Sequence, residues 1–203
     1  MGIAERKSRE RADREDRIVA AARAIAESEG WDAVTIRRLA KEIEYSQPVL
    51  YSHFENRDAI VAAVAVEGFE ELTAVLRAAV DGANSRRDAL RDVAMAYIAF
   101  AHSRPSLYEA MFILPTQLRF AEADTKAELR AGFEVLATAV SPFCADAEIV
   151  TETFWAALHG LAELERSGRV RPGMRDERIA LVVRAIVDAG GNPPGPGSHR
   201  PAE

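Results

Sequence analysis

The stretch from Thr35 to Phe54, TIRRLAKEIEYSQPVLYSHF, constrains the fold more than any other part of the chain. Ile36, Leu39, Ala40 and Ile43 fall at i, i+3, i+4 and i+7, the spacing of one buried helix face. Thr35 stands in front as an N-cap. Glu44 and Tyr45 break the pattern. Ser46 then caps a second short helix with Pro48 in its first turn, where a missing N–H costs nothing. Leu50 and Phe54, four apart, pin that helix down and leave Gln47, Val49 and Tyr51 facing elsewhere. Two short helices and a tight turn, the second helix presenting small and polar residues, have the layout of a helix-turn-helix. An αα-corner in any helical protein fits the same spacing.

The rest of the chain reads as helical too. Its 203 residues are 48% hydrophobic but only 7% aromatic, which implies a mainly aliphatic core. Alanine is abundant and period-two runs of Thr, Val and Ile are missing, so the expected class is all-α with about nine helices. The net charge is −6. Residues 1–60 hold 11 Lys+Arg against 12 Asp+Glu, a net of −1, so any nucleic-acid binding must rest on a few placed cations and backbone donors. The lone Cys144 excludes an intramolecular disulfide and fits a reducing compartment. The charged N-terminus lacks an apolar signal core, and no run approaches 18 apolar residues. A soluble cytoplasmic protein is expected, with no membrane association.

Residues 1–17 carry six basic and five acidic side chains and read as a solvated, partly disordered arm. The alternative is an arm whose Arg6, Lys7 or Arg9 touches DNA. A first helix is expected from about Asp16 to Glu29, closed by Gly30. A long helix follows from Asn56 or Asp58 to near Asp81. Further helices are expected from after Asn84 or Ser85 to near Ser103, over Pro105–Phe112, through Leu129 to Val140 with a stop at Ser141-Pro142, over Ala147–Arg166 and around Ile179–Val187, with a loop at 116–124 and a disordered tail from Gly190. The expected domains are an arm at 1–17, a helix-turn-helix unit at 18–62, a larger helical unit at 63–190, and a tail at 191–203.

Thr35, Leu39, Ala40, Ser46, Leu50, Tyr51, His53 and Phe54 match the pattern T-x-x-x-[IL]-A, a four-residue turn, then S-x-x-x-[LI]-Y-x-H-F. On these residues the chain resembles the tetracycline-repressor (TetR) family of regulators, from about Ile18 to Val75. The segment Phe154–Leu164, with Arg104–Phe112 upstream, resembles the C-terminal domain of a subgroup known by its Trp-His-Gly positions, here Trp155, His159 and Gly160. The family usually has glycine in the turn, where this chain has Glu44. A left-handed backbone there costs a non-glycine residue on the order of 1 kcal/mol.

The resemblance implies a ligand-responsive DNA-binding regulator, most often a repressor released from a palindromic operator, with double-stranded DNA, a small effector and a second copy of itself as partners. Gln47 and Val49 are placed to meet base edges, within a recognition helix that also holds Ser46 and Pro48. Tyr51, His53 and Arg57 resemble the family's phosphate-contacting positions. Thr35 and Arg37 or Arg38 lie where the positive end of a helix dipole favours a phosphate. Such regulators bind a small molecule between helices of the second domain, which nominates Tyr97, Phe100, Met111, Phe112, Trp155 and His159, although such a set is also common as plain core. Surplus apolar surface at Ala156, Gly160, Ile179, Val183, Ile186 and Val187 suggests a dimer interface. No hydrolase, metalloprotease or phosphate-loop motif is present, and the four histidines are scattered, so neither an enzyme, a cofactor nor a metal is expected. Two competing classes are a helical scaffold that has lost DNA binding and a helical-bundle enzyme.

Overall fold

The computed structural model describes residues 2–116, 118 and 125–191. Among them are nine α-helices and no strand: α1 Ile3–Glu29, α2 Ile36–Glu42, α3 Gln47–Tyr51, α4 Arg57–Asp81, α5 Arg86–Ser103, α6 Pro105–Phe112, α7 Ala127–Val140, α8 Ala147–Arg166 and α9 Arg175–Gly191. Short 3-10 turns occupy Trp31–Ala33 and Ser141–Phe143. Most of the expected 116–124 loop and the tail from residue 192 lie outside the described residues.

The chain divides into two compact units, Met1–Thr73 with Phe100–Gly132 and Ala74–Ala99 with Phe133–Glu203. This differs from a split at residues 62 and 63, because α6 belongs with α1 and the first half of α4. Trp31 Nε1 donates to Ser106 O at 2.7 Å, and Ser106 Oγ donates to Ala26 O at 3.0 Å. α4 meets α6 so closely that a Cβ on Gly68 would stand 2.6 Å from Met111 Sδ, so any larger residue there would push the Met111 side chain aside. Phe69 packs edge-on against Phe112 with ring centroids 5.2 Å apart. Glu71 on α4 accepts from both Arg23 of α1 and Arg104 before α6, which ties three helices at one point. Ile18, Ala22, Ile25, Trp31, Leu39, Leu50, Ile60 and Val64 fill this unit's core.

The second unit buries Leu76, Leu90, Val93, Tyr97, Leu136, Phe154, Leu158, Ile179 and Val183. Glu165 near the end of α8 accepts from Arg175 Nε at 2.9 Å and Arg178 Nη1 at 3.1 Å, so both cations of α9's first turn hold it to α8. The connecting loop turns at Gly168 and Gly173, whose φ values of 66° and 72° lie in the left-handed region that glycine adopts most readily.

The first helix starts thirteen residues earlier than expected, at Ile3 rather than Asp16. Arg6–Glu10 and Arg11–Glu15 pairs at i, i+4 support it where no apolar face exists.

Candidate nucleic-acid interface

Thr35 caps α2 as expected, its hydroxyl accepting from Arg38 N at 3.1 Å. α2 buries Leu39 and Ala40 and ends at Ile43. The turn then uses Glu44 at φ 57°, the one non-glycine residue with positive φ among the described residues. That conformation lets Tyr45 N close back onto Ala40 O at 2.9 Å. Ser46 has the extended backbone of an N-cap, but its hydroxyl bonds no helix N–H; its carbonyl accepts from Val49 N and Leu50 N instead.

α3 sinks Leu50 completely and leaves Gln47 and Pro48 exposed and Val49 half-buried. Tyr51, four residues after Gln47 and on the same face, is 54% exposed. A large aromatic and an amide thus stand outward on a helix fixed from behind. Gln47 offers an exposed amide donor and acceptor, and Tyr51 an exposed hydroxyl. Thr35, Ser46 and Arg37 are also exposed, and Arg37 makes no ion pair among the described residues. Arg38 is engaged by Glu29 and Glu42.

Two expected phosphate contacts are placed otherwise. Arg57 turns inward, donating from Nε to Val34 O at 2.7 Å and from Nη2 to Trp31 O. It clamps the loop before α2. The His53 side chain is 6% exposed, and its Nδ1 lies 3.2 Å from Glu15 Oε1 on α1. Burial raises the Glu15 pKa, but the bonds from His53 and Arg11 outweigh it and leave this carboxyl below the ordinary range. Sequence reasoning missed Arg17, which donates to the Tyr45 hydroxyl at 2.9 Å and lies over the Tyr45 ring at 5.1 Å. Arg17 and Glu15 therefore brace α3 at its two ends. Their helical offset from Ile18 was the available signal.

The six residues nominated for an effector do not share one unit. Phe100, Met111 and Phe112 lie in the first, where Met111 faces Gly68 and Phe112 stacks near Phe69 and Tyr108. Tyr97, Trp155 and His159 lie in the second. Trp155 Nε1 donates to the Tyr97 hydroxyl at 3.0 Å. Burial lowers the His159 pKa, with Glu163 opposing and Arg166 adding to the shift, which favours a neutral imidazole at pH 7.

The nominated interface residues separate as well. Ile179 and Val183 are 1% and 3% exposed inside their own chain and form its core, a correction to the expected interface. Ile186 and Val187 are half-buried. The outward apolar side chains are Ile149 and Leu164 on α8 and Leu181 on α9. Ala156 is exposed, and a Cβ on Gly160 would meet nothing within 4 Å. Among the described residues no cluster fits a metal ion, and no helix is long and apolar enough to cross a membrane.

Residues 18–64 match the family described as bacterial regulatory proteins, tetR family, and residues 90–189 match the tetracyclin repressor-like C-terminal domain. That second description names no subgroup. The chain is 30% identical over 154 residues to an uncharacterized HTH-type transcriptional regulator of Mycobacterium tuberculosis, spanning 74% of this chain and 69% of that protein. A protein of unknown function from Rhodococcus sp. RHA1 has a similar structure, with TM-score 0.70, 26% identity, and coverage of 86% of this chain and 94% of that one. RolR, solved with resorcinol, shares the fold at TM-score 0.65 and 14% identity, covering 94% of this chain and 98% of its own.

Proposed function

The chain belongs to the TetR family of bacterial helix-turn-helix transcriptional regulators, and on that premise we propose that it is a ligand-responsive repressor, released from a palindromic operator by a small apolar or aromatic effector. The observation that carries the reading is α3, with Leu50 buried behind it and Gln47 and Tyr51 outward. Such a helix enters the major groove with its first residues at base edges. Gln47 reads a base, Val49 touches a thymine methyl, and Thr35, Arg37 and Tyr51 hold phosphates. His53 and Arg57 act from behind, by fixing α3 and the loop before α2.

Two copies are needed to engage a palindrome. The outward residues Ile149, Ala156, Gly160 and Leu164 of α8 and Leu181 of α9 supply a self-complementary apolar face, and the two helices pair with their two-fold mates. The effector meets Trp155 and His159, an aromatic wall and one neutral polar handle four residues apart. RolR's resorcinol complex supports an aromatic ligand of this kind on the same fold. The regulator works in the cytoplasm, where its DNA is, and no residue is assigned a catalytic role.

Mobility shift on the DNA upstream of its own coding region tests the regulator reading, with small phenols as first effector probes. A shifted band that a phenol reverses supports it. Linkage then requires operator to weaken effector binding by the same factor, typically about 5–150-fold. No shift on that DNA and no phenol binding would count against both halves.

A further inference from the structure

The helical N-terminal extension of α1 is the part of the described structure that no packing explains. From Ala4 to Arg14 every side chain is exposed, so these residues stabilise no core. The charges on this extension are nevertheless sorted. Ala4, Lys7 and Ser8 stand about five turns above Ala22, Ile25 and Ala26, on the same stripe. Arg11 stands seven residues before Ile18, and Arg14 eleven before Ile25, both close to that stripe. The face that buries apolar side chains lower down thus becomes a row of three cations once the core ends. Its one acid is Glu15, already engaged by Arg11 and His53. Glu10, three residues after Lys7 and four before Arg14, borders the row and pairs with Arg6, while Glu5, Asp13 and Asp16 lie on other faces with Arg9.

Position gives the row its direction. Arg17 touches Tyr45 before α3, and Glu15 touches His53 after it. The two contacts stand two residues apart on α1, about 3 Å along its axis, so the extension begins where α1 meets both ends of α3. Twelve residues, Ile3 to Arg14, extend about 18 Å at the α-helical rise. That is roughly five base pairs of duplex at about 3.4 Å each. Among the described residues neither Lys7 nor Arg14 forms an ion pair, so both ammonium and guanidinium are available to an anion.

We propose that this extension is a second DNA contact, in which Lys7, Arg11 and Arg14 lie along phosphates of the duplex just outside each half-site. The inference rests on the operator-binding reading and adds to it the flanking duplex and the residues that hold it. The contact is to backbone phosphates and carries no base preference. It also resolves how a chain of net charge −6 holds DNA: the cations are segregated on one stripe rather than in excess. Arg6, Lys7 and Arg9 were the sequence-level candidates for the arm, and the helix keeps only Lys7 of them.

The test uses the full chain and a duplex that it selects from a random-sequence pool, made with flanks intact or trimmed by about six base pairs on each side. The parent is compared with Lys7→Gln/Arg14→Gln, which leaves Arg11 on Glu15, and with Arg6→Gln/Arg9→Gln, an equal charge change on other faces. The parent should bind the trimmed duplex on the order of tenfold more weakly, and the first variant should be indifferent to trimming. That variant's salt slope should fall by about one per cation removed and subunit bound, while the Arg6/Arg9 variant keeps the parental slope. Equal slopes for both variants, or equal trimming effects in parent and first variant, would overturn the proposal while leaving a sequence-selective regulator in place. A parent that selects no duplex would overturn the regulator reading and this contact with it. Unchanged helical circular dichroism confirms that the exposed substitutions leave the fold intact.

Discussion

Arg57 donates to the carbonyl of Trp31, twenty-six residues earlier in the chain, at 2.6 Å. The same guanidinium reaches Val34 O, so one cation closes the loop that leads into α2. The resemblance suggested a phosphate contact for it, but its Nε and Nη2 donate to the protein's own backbone.

Arg57→Ala should therefore lower stability by on the order of 2 kcal/mol, since two backbone carbonyls lose a charged donor. Operator affinity, measured where the variant is still folded, should keep its salt slope. A variant of parental melting temperature with a reduced slope would return Arg57 to the phosphate.

Glu44→Gly should stabilise the protein. Glu44 sits at φ 57°, a region that costs a non-glycine residue about 1–2 kcal/mol, against a glycine entropy cost of about 0.4–1 kcal/mol. The expected gain is about 0.5–1 kcal/mol in urea unfolding at unchanged slope. A loss of stability would show that Glu44 earns its place through its side chain.

Leu181→Glu and Val183→Glu should separate surface from core on one helix. Leu181 is 61% exposed, so its substitution should release folded monomers of about half the parental mass and weaken operator binding. Val183 is 3% exposed, and a carboxylate there should unfold the chain. Light scattering with circular dichroism reads both outcomes. A Leu181→Glu dimer would move the interface elsewhere.

The pairing of α2 with α3 was legible in the sequence because two short apolar stripes and a cap carry it. Glu44's left-handed turn was legible on a different ground, the glycine that the resembled family pattern has there. The first half of α1 was not, because its helix rests on charged i, i+4 pairs and periodicity arguments follow apolar residues. Arg57 was misplaced because its partners are backbone carbonyls, which no residue pattern records. In α9, Ile179, Val182, Val183, Ile186 and Val187 fall at i, i+3, i+4, i+7 and i+8 on one helix face, and spacing does not say whether the same chain or a second copy covers that face. The effector set draws on residues of both units, and aromatic content alone does not say which aromatics meet.

His159 makes a pH prediction. Burial holds its folded pKa below the ordinary 6.5, so the unfolded chain takes up the proton first as pH falls. Stability should be flat above about pH 7 and decline as pH drops below 6.5, until the folded form also protonates. His159→Gln should remove that component. An unchanged pH profile in the variant would mean that another group titrates there.

The most direct test of the central claim is DNA selection from a random pool by the full chain and by Gln47→Ala. The account predicts a palindrome with half-sites about one helical turn, roughly 34–36 Å, apart or a multiple of it. Gln47→Ala should then lose base preference at one position per half-site while holding the rest. Selection of no sequence by the parent, or an identical profile from Gln47→Ala, would contradict a recognition helix that reads DNA through Gln47.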